Sequence, residues 1–174
     1  MISKWRHSTA HKLIFPNTKE KKFYNFSKAN AFGCIAYVYQ SWGNLDSAII
    51  FSDSCVALAK QIGDMETLAS ALNNLGVIHN YKGDIASALK CYEKSYQLQD
   101  SLGSKKGAAM ALNNIALIYR SQGDISKALN YHIKSLKISE EIKDAYSMGH
   151  AYNNIGIIYR EQGEFKKGME YFHK

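Results

Sequence analysis

The sequence feature that most constrains the fold is a short segment that recurs every 40 residues. Residues 71–76 read ALNNLG, and the segment returns as ALNNIA at 111–116 and as AYNNIG at 151–156. Self-similarity at a fixed period of this length is typical of repeat proteins, in which each unit packs only against its neighbours. We therefore expect a stack of like units.

The register of the repeat continues without a gap to the end of the sequence. Each unit carries a glycine followed by Asn, Asp or Glu, a pair that ends one helix and caps the next. Apolar residues at helical spacing on both sides of this turn predict two antiparallel amphipathic helices per unit. The units are 31–70, 71–110, 111–150 and a truncated 151–174, with turn glycines Gly43, Gly83, Gly123 and Gly163 and second turns near 63–64, 103–104 and 143–144.

The positions inside each unit resemble the tetratricopeptide repeat family. That family places a large residue, then Leu-Gly and Tyr, in the first helix, and Ala followed by an aromatic residue in the second. The second unit fills these places with Leu72, Leu75, Gly76, His79, Ala88 and Tyr92, and the departures elsewhere are Ser52, His132 and Gly168. The long unit with paired asparagines is similar to kinesin light chains, spindle-orientation adaptors and bacterial signalling proteins. The resemblance implies an all-α, right-handed α-solenoid of about four antiparallel helix pairs.

Positive charge is concentrated at the N-terminus. Residues 1–28 hold seven of the 22 Lys and Arg but one of the 15 Asp and Glu. We interpret 1–28 as a basic, aromatic and partly helical arm, and 29–174 as the repeat domain. Such an arm suits phosphate backbones or anionic membranes. Packing on the first repeat is the favoured explanation, because no nucleic-acid-binding fold is recognisable.

The hydrophobic stretches argue against a membrane protein. None reaches the roughly 20 apolar residues that a membrane helix requires. The N-terminus also lacks the continuous apolar segment of a secretory signal, so we expect a cytoplasmic protein.

No constellation for catalysis, a cofactor or a metal is visible, so we expect a protein without enzymatic activity. Phosphate-binding glycine loops, Cys-x-x-Cys pairs and nucleophile elbows are all missing. His7 and His11 stand four residues apart but have no third ligand nearby, so a metal site is not expected there.

The cysteines and two histidines are expected to pack inside the repeats. Cys34, Cys55 and Cys91 are odd in number and widely spaced, which favours buried reduced thiols over disulfides or zinc ligands. His79 and His132 occupy places where the family has aromatic residues, which predicts packed imidazoles.

Helical geometry predicts which side chains face away from the core. At about 100° per residue, Asn74 points away from the face formed by Leu72, Leu75 and Gly76. The resemblance implies that the first helices line a concave surface, so the same geometry nominates a peptide-binding groove. Its predicted residues are Tyr37, Asn74, Val77, Asn80, Tyr81, Asn114, Leu117, Arg120, Asn154, Ile157 and Arg160.

The groove chemistry suits a protein or peptide ligand. A primary amide both donates and accepts hydrogen bonds, so Asn74, Asn114 and Asn154 would hold a peptide backbone. Val77, Leu117 and Ile157 would form apolar pockets, while Arg120 and Arg160 would favour an acidic ligand. The predicted function is therefore a protein-interaction module.

The asparagines have an alternative explanation. They would hydrogen-bond between neighbouring helices and fix the stacking, which we favour for the first of each pair, Asn73, Asn113 and Asn153. Some family members clamp a C-terminal carboxylate with concave-face lysines. This sequence has none at those positions, which disfavours that mode.

The end of the sequence raises two further expectations. Phe165, Met169 and Phe172 form an apolar face on the last helix, with no polar helix after it. We expect either a piece of a longer protein or self-association through this face. A rival functional hypothesis is a sensory or regulatory region of a bacterial signalling protein, with a kinase, cyclase or DNA-binding output domain outside this chain.

Overall fold

The computed structural model describes residues 18–174, which form eight helices and no strand. The predictions for residues 1–17, including His7 and His11, lie outside the described residues. The first helix includes residues 18–28 of the predicted arm. The helices are α1 (Thr18–Ser41), α2 (Leu45–Ile62), α3 (Met65–Lys82), α4 (Ile85–Ser101), α5 (Lys105–Ser121), α6 (Ile125–Glu141), α7 (Ala145–Glu161) and α8 (Phe165–Phe172).

The turns have the predicted chemistry. Gly83 ends α3 with a left-handed φ of 81°, and the Asp84 carboxylate accepts a hydrogen bond from the backbone N–H of Ser87 at 3.1 Å. This pairing satisfies an otherwise free donor at the start of α4. Lys143 adopts the same left-handed region, with a φ of 55°, although it is not a glycine.

The helices stack as antiparallel pairs. We name α1, α3, α5 and α7 the inner helices, because each contacts the next inner helix as well as its own partners. In contrast, α2, α4, α6 and α8 do not contact one another. The stack therefore curves with the inner helices on its concave side, and the predicted all-α solenoid is confirmed.

The two helices of a unit approach closely where a small residue meets a large one. A Cβ added to Gly76 would lie 2.7 Å from Cε1 of Tyr92, and one added to Gly156 would lie 2.6 Å from the Phe172 ring. In the third unit the inner position is Ala116, and the equivalent partner is the smaller ring of His132. Residue sizes are thus matched across the pair.

Buried serines tie neighbouring helices together. The Ser95 hydroxyl donates to the carbonyl of Ala69, and 40 residues later the Ser135 hydroxyl donates to the carbonyl of Ala109, both at 2.8 Å. Each bond satisfies a buried hydroxyl without any side-chain partner.

His132 is fully buried, as predicted for a packed imidazole. Neither ring nitrogen has a hydrogen-bond partner. Desolvation, aided by the charge of Arg120, lowers the pKa of His132 to about 4. The ring is therefore neutral at physiological pH.

The expectation of buried thiols is confirmed for Cys55 and Cys91 and is wrong for Cys34. Burial raises the pKa of the Cys55 and Cys91 thiols. Cys34 is exposed because it occupies in α1 the place that Asn74 occupies in α3, on the groove side.

We expect Gly76→Ala to lower the free energy of unfolding by about 1–3 kcal/mol, because overpacking forces the buried Tyr92 ring to move. Gly149→Ala is the matched control, since a Cβ at that helical position meets nothing within 4 Å. The control should raise stability by about 0.5–1 kcal/mol through helix propensity. Urea unfolding measures both variants, and a Gly76→Ala chain as stable as the control would contradict the matched packing.

Stability should depend on pH through His132. The ordinary pKa of 6.5 applies to the unfolded chain, whereas the folded chain has a value of about 4. Between these values the unfolded state binds more protons, so the free energy of unfolding falls as the pH is lowered from 6.5 to 4. The loss from this group is roughly 3 kcal/mol.

The control for this pH dependence is the double variant His132→Phe with Ala116→Gly, which copies the Gly156–Phe172 pair of the fourth unit. In this variant the free energy of unfolding should no longer fall through protonation of His132. It should still fall at low pH as carboxylates are protonated. Urea unfolding at several pH values gives both slopes. Equal slopes in the two proteins would show that His132 does not titrate as described.

Candidate functional site

The concave surface carries the side chains that the sequence predicts for a groove. Tyr37 and Tyr81 are 70% and 68% exposed, and Leu117 is 37% exposed. Val77 and Ile157 are half-buried. The groove is therefore lined by apolar and aromatic side chains at repeating positions.

The paired asparagines form a ladder between inner helices. Asn114 donates through Nδ2 to Oδ1 of Asn73, and Asn154 donates in the same way to Asn113, each at 3.0 Å. The second asparagine of one unit thus bonds to the first asparagine of the preceding unit. We name this arrangement the asparagine ladder.

The ladder follows a constant offset of 41 residues between inner helices. Arg120 and Glu161 obey the same offset, and their ion pair has two hydrogen bonds, of 2.7 and 3.2 Å. These bonds lower the pKa of the Glu161 carboxyl. The Arg120 guanidinium is therefore already occupied within the protein.

The offset also explains why Asn74 differs from the other two predicted amides. Its partner position is residue 33, and Gly33 has no side chain that could accept a bond. Asn74 is exposed and makes no side-chain hydrogen bond with any other described residue. Asn114 and Asn154, in contrast, are half-buried by their ladder bonds.

A cavity of about 890 Å³ lies where the ladder is missing, between α1 and α3. It brings together three predicted groove residues, Tyr37, Asn74 and Val77. A neighbouring cavity of about 440 Å³ lies beside Tyr37 and Tyr81. The size of the larger cavity is within the usual range for ligand pockets, about 300–1,000 Å³.

The remaining predicted residues lie apart from this cavity. Arg160 and Asn80 are exposed on their inner helices, and Arg160 has no ion-pair partner among the described residues. Phe165 and Met169 on α8 are 67% and 52% exposed, as the predicted apolar face requires. Peptide binding by the groove and self-association through α8 stay predictions.

The expected hydrogen bonds between neighbouring helices are confirmed for Asn73 and Asn113. Sequence reasoning missed their partners, Asn114 and Asn154, and the Arg120–Glu161 ion pair. A partial signal was present, because both pairs join residues 41 apart, one more than the repeat period. The helical wheel gave the direction of each side chain but not the offset between neighbouring helices.

Between residues 18 and 174, no group of three or more His, Cys, Asp or Glu side chains is arranged to hold a metal ion. No helix in this range has the length and apolar character needed to cross a bilayer.

Comparison with solved structures shows the fold. BtubC (BKLC) from P. vanneervenii has a TM-score of 0.73 at 22% identity, and the match covers 82% of this chain and 59% of that one. Aspartyl phosphate phosphatase F from Bacillus subtilis has a TM-score of 0.80 at 19% identity, over 84% of this chain and 39% of that one. The match thus covers less than two thirds of either protein.

A third structure adds a regulatory example. A signal transduction ATPase with numerous domains from Pyrococcus horikoshii, which has a tetratricopeptide repeat sensor, matches with a TM-score of 0.76 at 21% identity. The match covers 84% of this chain and 23% of that one. Comparison with curated protein sequences finds no match.

A family model gives the direct assignment. The tetratricopeptide repeat model matches residues 27–101 and 107–172, which is most of the chain. This match agrees with the helix pairs, the left-handed turn glycines and the small residues packed against rings. The chain belongs to the tetratricopeptide repeat family.

Proposed function

We propose that this chain is a non-enzymatic protein-interaction module that binds an extended peptide segment of a partner in its concave groove. The observation that best supports this proposal is the asparagine ladder, which holds a row of amides along the inner helices. Tetratricopeptide repeats as a class support protein interaction, and the groove adds the chemistry for a peptide backbone.

The ladder is compatible with ligand binding because it uses only part of each amide. Asn114 and Asn154 each donate one N–H to the preceding unit. The carbonyl oxygen and the second N–H of each amide have no partner among the described side chains, so they can accept from and donate to a peptide. Ladder bonds hold these amides in place before binding, which reduces the entropy lost on binding.

The groove also suggests a preference in the ligand. Arg160 is exposed and without an ion-pair partner among the described residues, so it would attract an acidic residue near the fourth unit. Arg120 contributes less directly than predicted, because Glu161 already occupies its guanidinium. The proposed acidic preference therefore depends mainly on Arg160.

A second candidate is a sensory or regulatory region of a larger signalling protein. It is favoured by the fold shared with the Pyrococcus horikoshii protein, whose tetratricopeptide repeat sensor is joined to other domains. Sequencing the complete reading frame on both sides of this chain tests it. A kinase, cyclase or DNA-binding domain in frame would support this candidate, and a reading frame without any such domain would reject it.

We expect the triple variant Asn74→Ala, Asn114→Ala and Asn154→Ala to bind peptide about tenfold or more weakly than wild type, since each lost hydrogen bond contributes about 0.5–1.5 kcal/mol. The ligand would be a peptide selected on the wild-type chain from a displayed random library. Fluorescence anisotropy of the labelled peptide measures the affinity.

The matched control is the double variant Asn73→Ala and Asn113→Ala. It breaks the same two ladder bonds from the acceptor side but leaves every proposed groove amide present. Circular dichroism melting compares the folding of all three proteins. An equal loss of affinity in both variants would make the asparagines scaffolding and would overturn their role in recognition.

A further inference from the structure

We propose that the 890 Å³ cavity between α1 and α3 is the anchor site of the groove, and that it takes a large apolar side chain of an extended peptide next to a Lys or Arg residue. This inference rests on the proposed peptide-binding function and names one position and one ligand chemistry within it. Gly33, where the asparagine pattern of the repeat is broken, lies in the lining of this cavity.

The missing side chain at residue 33 has two consequences. Every later unit has an asparagine at this position, namely Asn73, Asn113 and Asn153. Because Gly33 cannot continue the asparagine ladder, the space beside it stays open and the Asn74 amide stays free. The one break in the ladder therefore leaves both a cavity and an unused amide at one place.

The walls of the cavity fit an inserted apolar side chain. Ala36 and Ile78 are buried at 3% and 1% exposure and form part of the lining, together with Val77. Tyr37 is 70% exposed at the same cavity, so its ring can cover a side chain that enters. The Asn74 amide then lies beside the peptide backbone, where it can both donate and accept.

Charge favours a basic neighbour for that side chain. Glu66 is the one charged residue among the side chains that line the cavity, and within the described part of the chain it has no ion-pair partner. An acidic residue of the ligand would be repelled here, whereas Lys or Arg would be attracted. This end of the groove thus differs in charge from the end near Arg160.

The decisive variant is Gly33→Asn, which extends the asparagine ladder by one step. A Cβ at residue 33 meets only Cys55 Sγ, at an ordinary contact distance of 3.8 Å, so the fold has room for it. The new side chain would accept from Asn74 and would narrow the cavity beside that amide. We expect Gly33→Asn to bind the selected peptide about tenfold or more weakly, without a lower melting temperature.

The matched control is Gly33→Ala, which adds the Cβ but no amide. It should keep the wild-type affinity, because the cavity stays open and Asn74 stays free.

The peptides come from the same random library, selected on wild type. They should carry a large apolar residue beside Lys or Arg, and Glu66→Gln should weaken their binding.

Alkylation of Cys34 locates the bound peptide independently of mutation. Cys34 and Cys55 both line the cavity, but Cys34 is exposed, whereas Cys55 is buried, as is Cys91, and burial raises the pKa of both buried thiols. Iodoacetamide should therefore modify Cys34 first, and saturating peptide should slow that modification. Mass spectrometry follows the modified residue.

The outcomes separate this inference from the function on which it rests. Peptides that bind Gly33→Asn as tightly as wild type, or that leave Cys34 alkylation unchanged, would overturn the anchor site while leaving the groove as a binding surface. Equal loss of binding in Gly33→Ala and Gly33→Asn would also overturn it. Failure of the wild-type chain to select any peptide would overturn both.

Discussion

The close approach of the two helices within each unit is the constraint on which the rest of this structure depends. At Gly76 the ring of Tyr92 lies so near that an added Cβ would overlap it, and Gly156 meets Phe172 in the same way. Protein interiors are close-packed, so this distance is set by the volumes of the two residues. The Ala116–His132 pair combines a larger inner residue than glycine with a smaller ring than that of Tyr92 or Phe172. The sizes are thus matched in the second, third and fourth units, whereas the first unit has two small residues, Ala36 and Ser52, at these positions.

Side chains of successive inner helices meet at a constant sequence offset. The asparagine ladder and the Arg120–Glu161 pair both join residues 41 apart, although they lie at different heights along the helices. A neutral hydrogen bond contributes only about 1 kcal/mol to stability, so the ladder adds little beside the apolar core. Its main physical effect is to hold polar side chains in fixed orientations on the concave surface.

The sequence predicts those parts of the fold that local chemistry controls. Gly83 and Asp84 mark a turn because one tolerates a left-handed backbone and the other caps a helix, and neither property depends on distant residues. Helical periodicity likewise identifies the core positions, including Leu75 and Ile115, which are buried at 5% and 1% exposure. These features recur in each unit, so a wrong prediction in one unit can be recognised by comparison with the other units.

The parts that sequence reasoning did not predict depend on how separate helices are placed. Whether Asn114 meets Asn73 or a ligand is decided by the offset between α3 and α5, and this offset follows from the packing angle of whole units. Cys34 was misjudged because cysteine is usually buried, whereas its register position puts it on the groove. The groove is thus predictable as a face, but its pairings and cavities require the three-dimensional structure.

The departures from the repeat are the places where one unit can differ from another in function. Positions that recur in every unit must satisfy the same packing each time, which leaves little freedom to change their residues. Glu66 has Lys106 and Tyr146 as its equivalents, so the charge at this position changes along the stack. Gly33 removes a side chain where the later units hold an amide. A repeat protein can therefore keep its fold through the regular positions while the irregular ones make the two ends of its concave surface different. Here Glu66 lines a cavity at one end, and Arg160 is exposed at the other.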